Sequence, residues 1–196
     1  MVQSLRENRR AVSHHMNSKE EVKLKFHQFL DNQISINEFE SWIYITPALE
    51  SYLGNDHYID LISYNFKNKY VKNDIDDLIR KFVDIHQFEI WRTINLLSQI
   101  DAHKVEIVLA SRNLRKLYKS QEISIEQPLI SIGLGIGFES ELDSCPIESE
   151  YHQWNKEQLK EQLEPVEWYK KDFLKTVKKE LDTLLKKKKD DSQGVK

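Results

Sequence analysis

Five glycines and four prolines punctuate 196 residues, and that scarcity decides most of what the chain can fold into. Antiparallel sheets need frequent tight turns, and those turns draw on glycine, proline and their Asn or Asp neighbours. Helix is the economical alternative. The expected fold is all-α: a multi-helix bundle, with enough residues for two packed helical lobes. The expected boundaries are a tail over 1–17, an N-terminal lobe over 18–85, a C-terminal lobe over 86–186 and a charged tail over 187–196, with the lobes meeting near His86.

Composition removes several function classes. A formal charge of −3 points to neither nucleic acid nor a membrane surface. Cys145 is the single cysteine, so neither an internal disulfide nor a cysteine-rich metal site is expected. No apolar run approaches the roughly 20 residues that span a bilayer. The opening MVQSLRENRRAVSHH lacks the apolar middle of a secretory signal, and a cytoplasmic location is the expectation.

Apolar periodicity places the helices. Val22, Phe26, Phe29 and Leu30 share one helical face. Ser35-Ile36-Asn37-Glu38 fits a capping box ahead of Phe39, Trp42 and Ile43. Thr46-Pro47 resembles a cap followed by proline at the first helical position, with Gly54 as a left-handed stop. A helix from Asp56 is expected to bury Ile59, Ile62 and Phe66, and the next to bury Val71, Ile75, Leu78, Ile79 and Phe82. Further helices are expected over 88–99, 105–119 and 155–163, and from Pro165 through Tyr169, Phe173, Val177, Leu181 and Leu184. Residues 122–138 are ambiguous. Ile130, Ile132, Leu134, Ile136 and Phe138 alternate like a strand, against a buried helix whose Gly133 and Gly137 admit a close neighbour. The helix is preferred because a lone strand has no partner. Residues 139–150 are expected to form an acidic loop.

No arrangement of residues recommends chemistry. Gly133-x-Gly135-x-Gly137 lacks the spacing and the Lys-Ser/Thr ending of phosphate-binding loops. The seven histidines show no metal-ligand spacing, and neither a metal nor a cofactor is expected. Arg9 or Arg10 with His14 or His15 resembles the arginine–histidine pair of HEPN ribonucleases, which is the alternative enzymatic reading. Cys145 lies among acids, which disfavour a thiolate. From Pro165 to Lys189, nine lysines face four acids. Such a run is ordinarily a solvated helix face, and nucleic-acid contact requires arginines or aromatics interleaved on that side. A nucleic-acid-binding adaptor built on this helix is therefore a third possibility.

One constellation remains. Between Asp31 and Glu89 eleven acids face five bases, and the same stretch carries Trp42 and five tyrosines. Tyrosines ringed by acids suit a macromolecular contact that steers a basic partner. The candidate partner-binding residues are Asp31, Glu38, Glu40, Asp56, Asp60, Asp74 and Asp77, with Tyr44, Tyr58 and Tyr64 as anchors because they fall off the apolar stripes. Trp42 and Tyr52 fall on them and are expected in the core.

The run FLDNQISINEFESWIY, then LESYLG, then YIDLISYNFKNKY resembles a group of small helical proteins of Gram-positive bacteria taken to be immunity proteins. Its opening Phe-Leu-x-x-x-Ile-Ser-x-x-Glu-Phe is similar to the colicin D type of self-protective immunity protein. The likeness covers about residues 22–83, and more loosely the Gly133–Gly137 segment with its following helices. This chain is longer than the colicin D type and its last helix is basic. The resemblance implies a non-enzymatic, stoichiometric inhibitor: an acidic helical protein that plugs a basic toxin domain, with no cofactor and no membrane.

Overall fold

The computed structural model describes residues 19–125 and 127–193, and all regular structure among them is helical. The expected tail over 1–17, with Arg9, Arg10, His14 and His15, lies outside the described residues. The chain divides into two compact units on either side of the Phe88–Glu89 bond, which falls within one helix.

The first unit is made of short helices. Helix α1 covers residues 19–30, followed by α2 (Ile36–Ile45), α3 (Ala48–Leu53), α4 (Asn55–Ser63) and α5 (Val71–Arg80). Local signals set their ends. Ser35 and Glu38 close the expected capping box, with the Ser35 N–H donating to Glu38 Oε2 at 2.7 Å and the Glu38 N–H to Ser35 Oγ at 3.2 Å. Gly54 takes a φ of 79°, which only glycine adopts freely, and separates α3 from α4. The expected Thr46 cap is displaced by one residue: Pro47 caps α3, while the Thr46 hydroxyl donates back to the Trp42 carbonyl at 2.7 Å.

The core of this unit is aromatic. Phe26 meets Phe39, Trp42 and Tyr52 at ring-centroid distances of 6.2, 6.1 and 5.8 Å, and Phe29 stacks on Phe39 at 4.0 Å. Trp42 is buried as expected, whereas Tyr52 is half-buried and its hydroxyl donates to the Phe82 carbonyl at 3.3 Å. The expected stripe on α4 needs correction. Leu61 is fully buried, Ile59 is 48% exposed, and Phe66 is buried from the turn beyond the helix. The core-facing edge of α4 therefore runs through His57, Tyr58, Leu61 and Ile62, none of which is fully exposed.

Asp84 caps α6 (Ile85–Asp101), its Oδ1 accepting from the His86 and Gln87 N–H groups at 2.9 and 3.1 Å. The second unit takes the rest of α6 with α7 (Ile107–Ser124), a π-helical turn (Gly133–Gly137), α8 (Phe138–Leu142), a 3-10 turn (Glu148–Gln153), α9 (Lys156–Gln162) and α10 (Glu164–Gln193). Leu97, Ile100, Ala110, Leu114, Leu117, Ile130, Leu134, Phe173, Val177, Leu181 and Leu184 form its main core. A smaller cluster joins Val108, Leu142 and Cys145. The expected loop over 139–150 begins as α8 and ends in the 3-10 turn, and the lysine run remains helical through Gln193.

The ambiguous segment 122–138 resolves without a strand. Helix α7 runs to Ser124, turns follow, and the chain then winds directly into the π-helical turn and α8. Gly135, rather than Gly133 or Gly137, permits the close approach: a Cβ there would collide with Cβ, Cγ and Cδ2 of Tyr118 on α7. Buried polar groups hold the intervening turns. Gln121 Nε2 donates to Glu89 Oε2 at 3.1 Å and to Thr93 Oγ1 at 2.7 Å, while Gln121 Oε1 accepts the Leu129 N–H at 2.9 Å. With Glu89, Thr93 and Gln121 all buried, each atom needs such a partner.

Candidate functional site

The acids of the first unit fall into separate groups once folded. Glu89 is 2% exposed within the second unit's polar network, so it belongs to no surface. Asp76 pairs with Lys72 at 2.9 Å, and Asp84 serves as the α6 cap. Glu38 is exposed but committed to Ser35, and that contact, first through the backbone N–H and then through the hydroxyl, lowers its carboxyl below the ordinary value. Asp31 accepts from Gln33 Nε2 at 2.9 Å. Glu40 is half-buried on α2, and Tyr44 is 58% exposed beside Ile45 at 77%.

Four candidates come together on α4 and α5. Tyr64 ends α4 in an extended conformation that turns its phenol toward α5, where the hydroxyl reaches the Asp74 carbonyl oxygen at 3.5 Å, the long limit of a hydrogen bond. Burial first, then the negative charges of Asp74, Asp60 and Asp77, pushes this phenol above its ordinary value. Asp60, Asp74 and Asp77 are thus the acids whose charge reaches Tyr64. Asp74 and Asp77 are three residues apart, hence neighbours on one exposed helix face. Neither is in an ion pair among the described residues.

Asp56 and Asp60 share the outer edge of α4 with the exposed Ile59. Asp60 also lies 3.7 Å from His57 Nδ1. Tyr58 is half-buried on the core-facing side of α4, which makes it a weaker anchor than expected. Ile59 is the residue that sequence reasoning missed. Its apolar side chain argued for the core, and only the position of Leu61 one face away could have corrected that.

The arrangement is an exposed acidic patch with an aromatic and an aliphatic group within it. Among the described residues no group of three His, Cys, Asp or Glu side chains is placed to hold a metal ion. No helix among them is long and apolar enough to cross a membrane. Cys145 is 1% exposed. Burial first, with Asp143 and Glu106 adding and Arg112 opposing, pushes its thiol up. The acids that sequence reasoning blamed are thus the smaller cause.

No protein-family model matches the sequence, and comparison with curated proteins and with solved structures gives no match.

Proposed function

We propose that the protein is a stoichiometric, protein-binding inhibitor, and that it acts as an immunity protein by covering a basic toxin domain with the α4–α5 face. The observation that carries this reading is the exposed pair Asp74 and Asp77 on one face of α5, with the Tyr64 hydroxyl against the Asp74 carbonyl. Asp74 and Asp77, neighbours on one helix face and in no ion pair among the described residues, repel one another, and a basic partner relieves that repulsion. Such a surface accelerates encounter through long-range attraction, and the central tyrosine supplies contact area at small entropic cost. Asp56 and Ile59 extend the contact along α4. The residues perform no bond-making step; inhibition follows from occlusion. The sequence resemblance over 22–83 covers both helices.

The test uses the product of the neighbouring gene as partner. Co-expression with this chain should protect cells from it. The triple variant D60K/D74K/D77K should slow association at low salt by at least tenfold and flatten its salt dependence. Tyr64→Ala should act mainly on dissociation. Unchanged association in the triple variant, with helicity intact, would overturn the assignment of this face.

A further inference from the structure

Helix α10 carries a second charged surface, of opposite sign and independent of the acidic face. At 3.6 residues per turn, Trp168, Lys171, Lys175, Lys178, Lys179, Asp182 and Lys186 fall within an arc of about 100°. The buried residues Phe173, Val177, Leu181 and Leu184 occupy the opposite side. Lys175, Lys178, Lys179, Asp182, Thr183 and Lys186 line a common shallow groove. All five lysines of the arc are exposed, and none is in an ion pair among the described residues. Asp182 lies within the arc, Asp172 and Glu167 flank it, and Glu164 lies one turn before Trp168 on the same line, so the positive excess resides in the stretch from Lys171 to Lys186.

Trp168 changes what such a face can do. Lysines alone are the ordinary solvated side of an amphipathic helix. The Trp168 indole is 64% exposed at the head of the row, where no packing explains it. From Trp168 to Lys186 the row runs straight for roughly 27 Å along the axis. A linear array of compact cations ending in an open indole matches a linear polyanion that also offers flat apolar rings. Leu185, at 38% exposed, adds too little apolar surface for a lipid bilayer. A duplex would engage the lysines and leave the indole idle, because its bases are stacked inside.

We propose that this face of α10 binds single-stranded nucleic acid, with Lys175, Lys178, Lys179 and Lys186 on successive phosphates and a base stacked on Trp168. Nothing in the row reads base edges, so binding is indifferent to sequence and steeply dependent on salt.

Anisotropy of a fluorescein-labelled oligouridylate, titrated with the full chain at several salt concentrations, tests this. About four neutralised phosphates give a log–log salt slope near −3. Trp168→Ala should weaken binding about tenfold, with Trp168→Phe recovering most of it. The pair K175E/K179E should reduce the slope by roughly half. Helical circular dichroism checks that each variant is folded, which these exposed positions favour. Two results would overturn the proposal: no binding by the folded wild type, or binding that Trp168→Ala leaves unchanged. A duplex of the same length that binds as tightly as the single strand would overturn it too.

Discussion

The two units bury different kinds of matter. The first has a core of interlocked rings, and two polar ring atoms buried in this unit, Trp42 Nε1 and His57 Nδ1, have no hydrogen-bond partner among the described residues. The second buries a carboxylate, a hydroxyl and an amide together and satisfies them mutually through Glu89, Thr93 and Gln121. Rings tolerate small rotations because dispersion is non-directional, whereas the polar set works only in one arrangement. The first unit is therefore expected to lose stability in proportion to the volume removed. The second is expected to lose it in proportion to the partners orphaned.

Substitutions can break this contrast, and the largest effect belongs to the ring core. Phe39→Ala, which strips contacts from Phe26, Phe29 and Trp42, should cost about 3–5 kcal/mol in urea unfolding. Gln121→Ala removes far less apolar surface, yet it leaves Glu89, Thr93 and the Leu129 N–H short of partners. Its cost should reach about 2–3 kcal/mol, beyond what its volume explains. A loss below about 1 kcal/mol would show that water replaces the amide and that the network is not specific.

A finer test lies in the π-helical turn. Gly135→Ala should destabilise by about 1–3 kcal/mol because the new methyl meets Tyr118. Gly137→Ala meets nothing within 4 Å and has helical backbone angles, so it should stabilise by about 0.5–1 kcal/mol. Equal effects at the two positions would deny that close approach governs this segment.

The smallest expected effect is electrostatic. Tyr64 and Tyr169 both have raised phenols, but for different reasons. For Tyr64 burial leads and three acids follow, whereas for Tyr169 the leading cause is the hydrogen bond it donates to Glu141 at 2.9 Å. A raised folded value means that each phenol's contribution is complete below the ordinary phenol range near pH 10. It is lost as pH rises through the folded value, because the unfolded chain ionises first. D74N/D77N should move the Tyr64 transition part of the way down and leave Tyr169 in place, as followed by tyrosinate absorbance against Y64F and Y169F controls.

Much of the first unit was legible because its signals are local. The Ser35–Glu38 box, Gly54 and the Val71–Ile75–Leu78–Ile79 stripe each lie within a few residues of what they control. Ile59 misled because an apolar residue on a short helix has two equally spaced choices of face, and the packing of α4 decided between them. The 122–138 segment was opaque for a related reason. Alternating apolar residues look the same whether a strand pairs or glycine lets a turn settle on Tyr118, and that partner is a distant neighbour in sequence. The acidic face was half legible. Composition located the acids, but only folding sorted Asp60, Asp74 and Asp77 from Glu38, Asp76, Asp84 and Glu89, which serve caps, ion pairs and the interior. Trp168 was hidden beside Tyr169, since adjacent helical positions point about 100° apart.

Cys145 offers one more consequence. It is the chain's single cysteine, packed with Val108 and Leu142 and shut off from solvent. A thiol-specific dye can reach it only when the packing of α7, α8, Ile147 and the start of α10 around it opens, so the pace of modification clocks the breathing of that corner without any engineered label. A ligand that grips the second unit should slow the clock, and one confined to the first should leave it ticking.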